Sequence, residues 1–308
     1  MTRLRLATRG SQLAIAQSGW VAQRIEQRLG VPVDLVTLKT SGDRLADVSL
    51  AKVGGKGLFV KEIEEALLDG RADLAVHSAK DLPVRIAAGL VLAAFPERAD
   101  PRDALVARAS DARVETLPAG ARIGTGSARR ATQLRALRPD LEILPLRGNV
   151  TTRLERLAEG RFDAVILACA GLDRLGLGDR ISERIAPEVL LPSVGQGVLA
   201  IEARADTALA SDLAQLDAPH VARAIRAERA FLTRLEGDCN VPLAAFARIE
   251  GEDALWLRGL VASADGSSIA RGDARGTDSE AVGLRVAEQV LAAGGDAILA
   301  ALRAESAP

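Results

Sequence analysis

The sequence predicts an α/β fold, made of two α/β units in series and a smaller α+β domain at the C-terminal end. Three observations carry this. Short β-like runs alternate with amphipathic helical stretches over most of the first 170 residues. The stretch RLATRGSQLAIAQ (5–17) is echoed by RIGTGSARRATQL (122–134). In the last ninety or so residues, β-like runs come first and the final helices last.

The elements follow in order. RLRLAT (3–8) reads as a strand, and 11–29 as a helix with Leu13, Ala16, Trp20, Ile25 and Leu29 near one face. VDLVTLKT (33–40) is a strand. LFVKEIEEALLDG (58–70) is a helix with Phe59, Ile63, Ala66 and Leu67 on one stripe and Gly70 as its stop. DLAVHS (73–78) and LVLAAF (90–95) are strands, and the alternation implies a largely parallel sheet. PERADPRD (96–103) reads as a hinge. The second unit runs RIGT, SARRATQLRAL, LEILPL, NVTTRLERLAEG, FDAVILAC, and LPSVGQG (191–197) breaks the chain again. A helix then precedes PLAAFARI, ALWLRGLVA and SSIARGDA, and two helical stretches close the chain.

Composition limits the function classes. The chain has 308 residues, 48% hydrophobic and 26% charged, with a net charge of −1. That suits a soluble globular protein of two or three domains. No apolar run is long enough to span a bilayer, and MTRLRLATRG lacks a signal-peptide pattern. Two histidines (His77, His220) and two cysteines (Cys169, Cys239) show no metal-ligand spacing, so no metal is expected. The cysteines form no disulfide framework, which suits a reducing cytoplasm. Charge is unevenly spread: residues 121–180 hold 11 Arg against 7 acidic residues, which points to an anionic ligand. Aromatics are 2% and Tyr is absent, so base-stacking surfaces for nucleic acid are scarce.

Several residues could carry chemistry. Cys169 lies in an apolar run that reads as buried and inert, whereas Cys239 lies in the polar turn LEGDCNVP and could do covalent work. Each echoed strand-to-helix junction offers free N–H groups, with Arg9, Arg129 and Arg130 beside them; a simple serine N-cap gives the same pattern. VGGKGLFVKEIE (53–64) lacks the spacing of a nucleotide-phosphate loop; it is either a tight turn or a loop that lets Lys56 and Phe59 approach a ligand. HSAKDLP (77–83) sets Lys80 and Asp81 at a strand's end, as a surface ion pair or as a carboxylate kept ionised among cations. SARR, RGNVTTR and AGLDR supply Arg129, Arg130, Arg147, Arg153 and Arg174 at strand ends expected on one sheet edge, where guanidiniums would bind carboxylate or phosphate.

These motifs together resemble the porphobilinogen deaminase (hydroxymethylbilane synthase) family. RLATRGSQLAIAQ, KTSGD, GGKGLFVKEIE, AVHSAKDLP, GTGSARR, RGNVTTR, AGLDRLGL, LPSVGQG and LEGDCNVP stand in the family's order at the family's spacing. Residues 246–308 carry little of the resemblance. Ala79, Gly126 and Asp238 depart from the family's usual Met, Ser and Gly, and none removes a charge or a thiol.

The resemblance implies two periplasmic-binding-protein-like lobes around a cleft, 1–98 with 197–216 and 102–193, plus a domain at 219–308. It implies a transferase that condenses four porphobilinogen molecules, losing ammonia each time, on a dipyrromethane cofactor held by a thioether to Cys239. Water then releases 1-hydroxymethylbilane. Asp81 matches the catalytic carboxylate. Arg9, Ser11, Gln17, Lys52, Lys56, Phe59, Ser78, Lys80, Thr125, Ser127, Arg129, Arg130, Arg147, Gly148, Asn149, Arg153, Arg174 and Gln196 match cofactor- and substrate-binding positions. Phe59 is expected to pack on a pyrrole ring, and the segment with Lys52 and Lys56 to act as a lid. A cytoplasmic monomer without nucleic-acid or membrane partners is expected. A two-lobed binding protein for an anionic solute shares the Arg set but has no use for Cys239.

Overall fold

The computed structural model describes residues 3–38, 60–236 and 241–306. In chain order the strands and helices begin with β1 (Leu4–Arg9), α1 (Gln12–Leu29), β2 (Val33–Leu38), α2 (Lys61–Leu68), β3 (Leu74–Ser78) and β4 (Leu90–Ala94). Next come β5 (Asp103–Ala107), β6 (Arg122–Thr125), α3 (Ala128–Leu137), β7 (Glu142–Pro145), α4 (Val150–Ala158), β8 (Ala164–Ala168), α5 (Cys169–Arg174) and β9 (Glu183–Ile185). The chain ends with β10 (Leu199–Arg204), α6 (Ala208–Leu213), α7 (Pro219–Arg234), β11 (Leu243–Glu250), β12 (Ala254–Ala262), β13 (Ile269–Gly276), α8 (Ser279–Val290) and α9 (Asp296–Ser306).

The chain divides into two compact units, Met1–Ala99 with Gly197–Ala222, and Asp100–Gln196 with Arg223–Pro308. The first is built on a five-stranded sheet ordered β2-β1-β3-β10-β4. Helix α1 begins where Ser11 accepts the Ala14 N–H at 3.2 Å and stops at Gly30, whose φ of 67° suits a residue without Cβ. Its buried stripe is Gln17, Ser18, Val21, Ala22 and Ile25. Trp20 and Leu29 only flank the core formed by Leu6, Leu74 and Ile201, a correction to the expected face.

The second unit holds two sheets, one ordered β7-β6-β8-β5-β9 and the other a meander β11-β12-β13. In the meander all pairs are antiparallel, and Phe231 is fully buried against it beneath α8. Glu228 of α7 ties this region to the first sheet's part of the unit, taking the Gly195 N–H at 2.6 Å and the Ala247 N–H at 2.9 Å. The small C-terminal α+β domain, the meander with α8 and α9, is grouped with 100–196 in this unit.

The two five-stranded sheets share one design. β1 pairs in parallel with β2 and β3, as β6 does with β7 and β8. β10 and β5 then run antiparallel to their neighbours. The sheets are therefore mixed, not largely parallel as expected, and the two reversed strands are ones the sequence pattern did not single out. Even a local latch is duplicated. Arg5 N–H donates to Asp73 Oδ2 at 2.8 Å while Asp73 N–H donates to Arg5 O at 2.9 Å; Arg122 and Asp163 repeat this at 2.9 and 2.8 Å. The echo found around residues 5 and 122 thus extends to GRADLAV (70–76) and GRFDAVI (160–166), ninety positions apart. Among the described residues, no helix is long and apolar enough to cross a membrane.

Candidate active site

In the first unit, parallel pairing sets the ends of β1 and β3 on one edge. Arg9 closes β1 and Ser11 caps α1, with Gln17 buried further along that helix. Ser78 closes β3, and Ala79–Asp81 form a single 3-10 turn. Ala79 N–H donates to Val198 O at 3.0 Å. Ala79 and Leu82 are buried on either side of Lys80 and Asp81, so half-buried Lys80 and exposed Asp81 stand on a fixed base. A small Ala at 79 fits this buried position.

In the second unit, β6, β7 and β8 run in parallel, so their C-terminal ends also share an edge. Thr125, buried at the end of β6, accepts the Ser127 N–H at 3.2 Å and shapes the entry to α3. A Cβ at Gly126 would come within 2.5 Å of Leu146 O, so this backbone requires the glycine found there. After β7, Gly148 adopts φ 104° and Asn149 caps α4 by accepting the Thr152 N–H at 2.9 Å. Arg153 Nε donates to Gly148 O at 2.8 Å and Arg156 Nη1 to Arg147 O at 3.0 Å, which fastens the Arg147–Asn149 turn onto α4. Arg174 ends α5 half-buried, and burial pushes its guanidinium down to about 10.

Arg129 and Arg130 do not reach into solvent. Both are 5% exposed and converge on Asp103, itself fully buried at the start of β5. Arg129 Nη1 lies 2.7 Å from Asp103 Oδ2, and Arg130 Nη2 2.7 Å from Oδ1. Arg129 also donates to Leu191 O at 2.7 Å and Arg130 to Ile166 O at 3.0 Å. Gln196 joins them, its Nε2 donating to Asp103 Oδ1 at 3.0 Å and Pro101 O at 2.7 Å. Burial alone would raise the Asp103 carboxyl, but the two guanidiniums outweigh it and hold the group well below the ordinary carboxylate range. The cluster keeps one net positive charge, because two guanidiniums face one carboxylate.

Lys52, Lys56, Phe59 and Cys239 lie outside the described residues, as does Asp238. Cys169 is fully buried, and burial pushes its thiol up to about 12, so it is inert at neutral pH. Three groups were missed in the sequence: Asp103, the buried Glu228, and a buried His77–Glu202 pair at 2.9 Å. Asp103 sat inside the charged PERADPRD stretch read as a hinge, Glu228 and His77 lie in runs whose pattern signals only a helix and a strand, and Glu202 lies in β10, which the pattern did not single out.

Comparison with known proteins agrees with these motifs. The family model "Porphobilinogen deaminase, dipyromethane cofactor binding domain" matches residues 4–212, and "Porphobilinogen deaminase, C-terminal domain" matches 222–292. Among similar curated proteins are the porphobilinogen deaminases of Geotalea daltonii and Geobacter sulfurreducens. Each is 49% identical over 304 residues, 97% of this chain and 95% of theirs. Among solved structures, the periplasmic VFT2 domain of Bordetella pertussis BvgS aligns at 18% identity and TM-score 0.40 over 69% of this chain and 86% of its own. A periplasmic substrate-binding protein of a Coxiella burnetii ABC transporter aligns at 15% and 0.41 over 69% and 91%. The two family models and the curated relatives cover nearly its whole length, and the chain belongs to the porphobilinogen deaminase family.

Proposed function

We propose that the chain is a hydroxymethylbilane synthase, which joins four porphobilinogen molecules head to tail with loss of ammonia and releases 1-hydroxymethylbilane by hydrolysis. The observation that carries this is 49% identity to porphobilinogen deaminases along 97% of the chain. The family's dipyrromethane cofactor fits the residues present. Each pyrrole carries an acetate and a propionate, so its ligands are dense in carboxylate, and the strand-end edges are dense in guanidinium. We assign carboxylate contacts to Arg9 in the first unit and to Arg147, Arg153 and Arg174 in the second, while Arg129 and Arg130 hold the buried Asp103. Burial weakens the Arg174 cation, and a carboxylate beside it would offset that. The side chains of Ser11, Gln17, Ser78, Lys80, Thr125, Ser127, Asn149 and Gln196, together with the backbone at Gly148, add polar contacts. When bound through Cys239, the dipyrromethane supplies the free α-carbon on which the chain is extended.

Asp81 has the central role. Its carboxylate receives the pyrrole N–H of the incoming porphobilinogen and stabilises the positive charge that develops as the aminomethyl C–N bond breaks and ammonia departs. It also takes up the proton lost from the α-carbon once the new C–C bond has formed. Lys52, Lys56 and Phe59 are assigned to substrate contacts. We place the enzyme in the cytoplasm as a monomer, on the family match and the sparse cysteines.

The test is Asp81→Asn in enzyme whose cofactor is loaded. Removing one preorganised charge should lower kcat by about a hundredfold to a thousandfold. Wild-type turnover in Asp81→Asn, or full turnover in Asp81→Glu, would overturn the role given to Asp81.

A further inference from the structure

The duplicated lobes provide an internal control. The ninety-position echo sets Glu64 against Leu154 and His77 against Leu167. The strand registers extend it to the reversed strands. Ser78 faces Leu199 as Ala168 faces Asp103, so Glu202 stands where the other lobe has Val106. In the second unit the three counterparts pack in one apolar cluster: Val106 is fully buried, Leu167 2% exposed and Leu154 7%. In the first unit the same three sites hold two carboxylates and an imidazole. The fold itself therefore does not call for polar groups there. Burying them costs desolvation that aliphatic residues avoid.

The polar set grips one segment. His77 Nε2 meets Glu202 Oε2 at 2.9 Å, with the pair almost fully buried, immediately before Ser78 and the turn that carries Asp81. Glu64 Oε1 accepts the Ala87 N–H at 2.9 Å, just beyond that turn. Glu202 and His77 both bear electrostatically on the Glu64 carboxyl, which burial raises. Residues 78–87 are thus held at one end by His77–Glu202 and at the other by Glu64, and both holds come from a single cluster. Glu64 also lies on α2, the helix that begins just after the segment holding Lys52, Lys56 and Phe59.

We propose that Glu64, His77 and Glu202 are positioning residues that clamp both ends of the segment bearing Asp81 and fix its carboxylate for the condensation. This rests on the role given to Asp81 above. The direct test installs the sister lobe's residues in the holoenzyme: Glu64→Leu, His77→Leu and Glu202→Val together. The aliphatic set already packs at these positions in the second unit, so the melting temperature should hold or rise. In cofactor-loaded enzyme, kcat should fall about tenfold to a hundredfold, with KM within about twofold. Wild-type kcat in the stable triple variant would overturn the clamp. Should the triple variant not fold, Glu64→Ala decides by the same criteria, with hydrogen exchange at Ala87 as a second readout. Exchange there should speed up, and Glu64→Gln, which keeps an acceptor oxygen, should restore both protection and kcat. Unchanged exchange and kcat in Glu64→Ala would contradict the proposal. Asp81→Asn run alongside separates the two failures. If it alone is impaired, the clamp is wrong; if it too turns over normally, the role of Asp81 is wrong and the clamp falls with it.

Discussion

Asp103 shows how a single residue governs the arginines around it. Two buried guanidiniums 2.7 Å from its oxygens would repel each other without it, and Gln196 and two backbone carbonyls complete the network. Removing one partner of a buried ion cluster strands the remaining charge. Asp103→Ala should therefore lower stability by about 3–5 kcal/mol in urea unfolding, and a loss below about 1 kcal/mol would show that the cluster is not what holds Arg129 and Arg130. The sequence made these arginines visible as anion binders but hid their partner. Nothing in the order of residues says that Asp103, 26 positions before Arg129, starts a strand whose first residue meets α3. Cys169 was the opposite case: its apolar neighbours already marked it as buried, and its thiol is pushed up to about 12.

At the scale of elements, periodicity revealed the strands and helices that alternate, and it failed at β5 and β10. Both are short runs beside Pro- or Gly-rich breaks, and each runs antiparallel to its neighbours. Strand direction comes from pairing across the sheet, which a linear pattern does not contain. The duplicated Arg–Asp latch belongs to this scale too. Hydrogen bonds from the Arg122 side chain and backbone hold the Asp163 carboxyl at about 2. A carboxyl depressed on folding contributes stability above its unfolded value of about 4 and loses it as pH falls through the folded value. The latch should thus weaken between about pH 4 and pH 2. Asp163→Asn should flatten this part of the acid limb when urea midpoints are compared across that window. An unchanged acid limb in the variant would remove the latch from the account. Asp73, similarly held down by Arg5 in the other lobe, will keep part of the limb in either protein.

For the molecule as a whole, two lobes of one design have diverged in chemistry. The second unit carries Arg147, Arg153 and Arg174 after its parallel strands and, separately, the buried Arg129–Arg130–Asp103 cluster. The first carries Asp81 just after a strand whose His77 belongs to a polar set where its twin is aliphatic. We propose that 219–308 forms a third domain that carries the attachment cysteine. Motif order and spacing made the family legible in the sequence, because many of the motif residues sit in strand-end turns whose identity does not depend on packing. The cores did not declare themselves in the same way: Glu202 in its strand gives no sign of the His77 it will meet. The central claim is that the product grows from a covalent primer on Cys239. Intact-protein mass after expression in cells that make porphobilinogen tests it most directly. The chain should be heavier than the bare polypeptide by one dipyrromethane, Cys239→Ser should abolish the added mass, and Cys169→Ser should keep it. A wild-type mass equal to the bare polypeptide, or added mass that survives Cys239→Ser, would contradict the account.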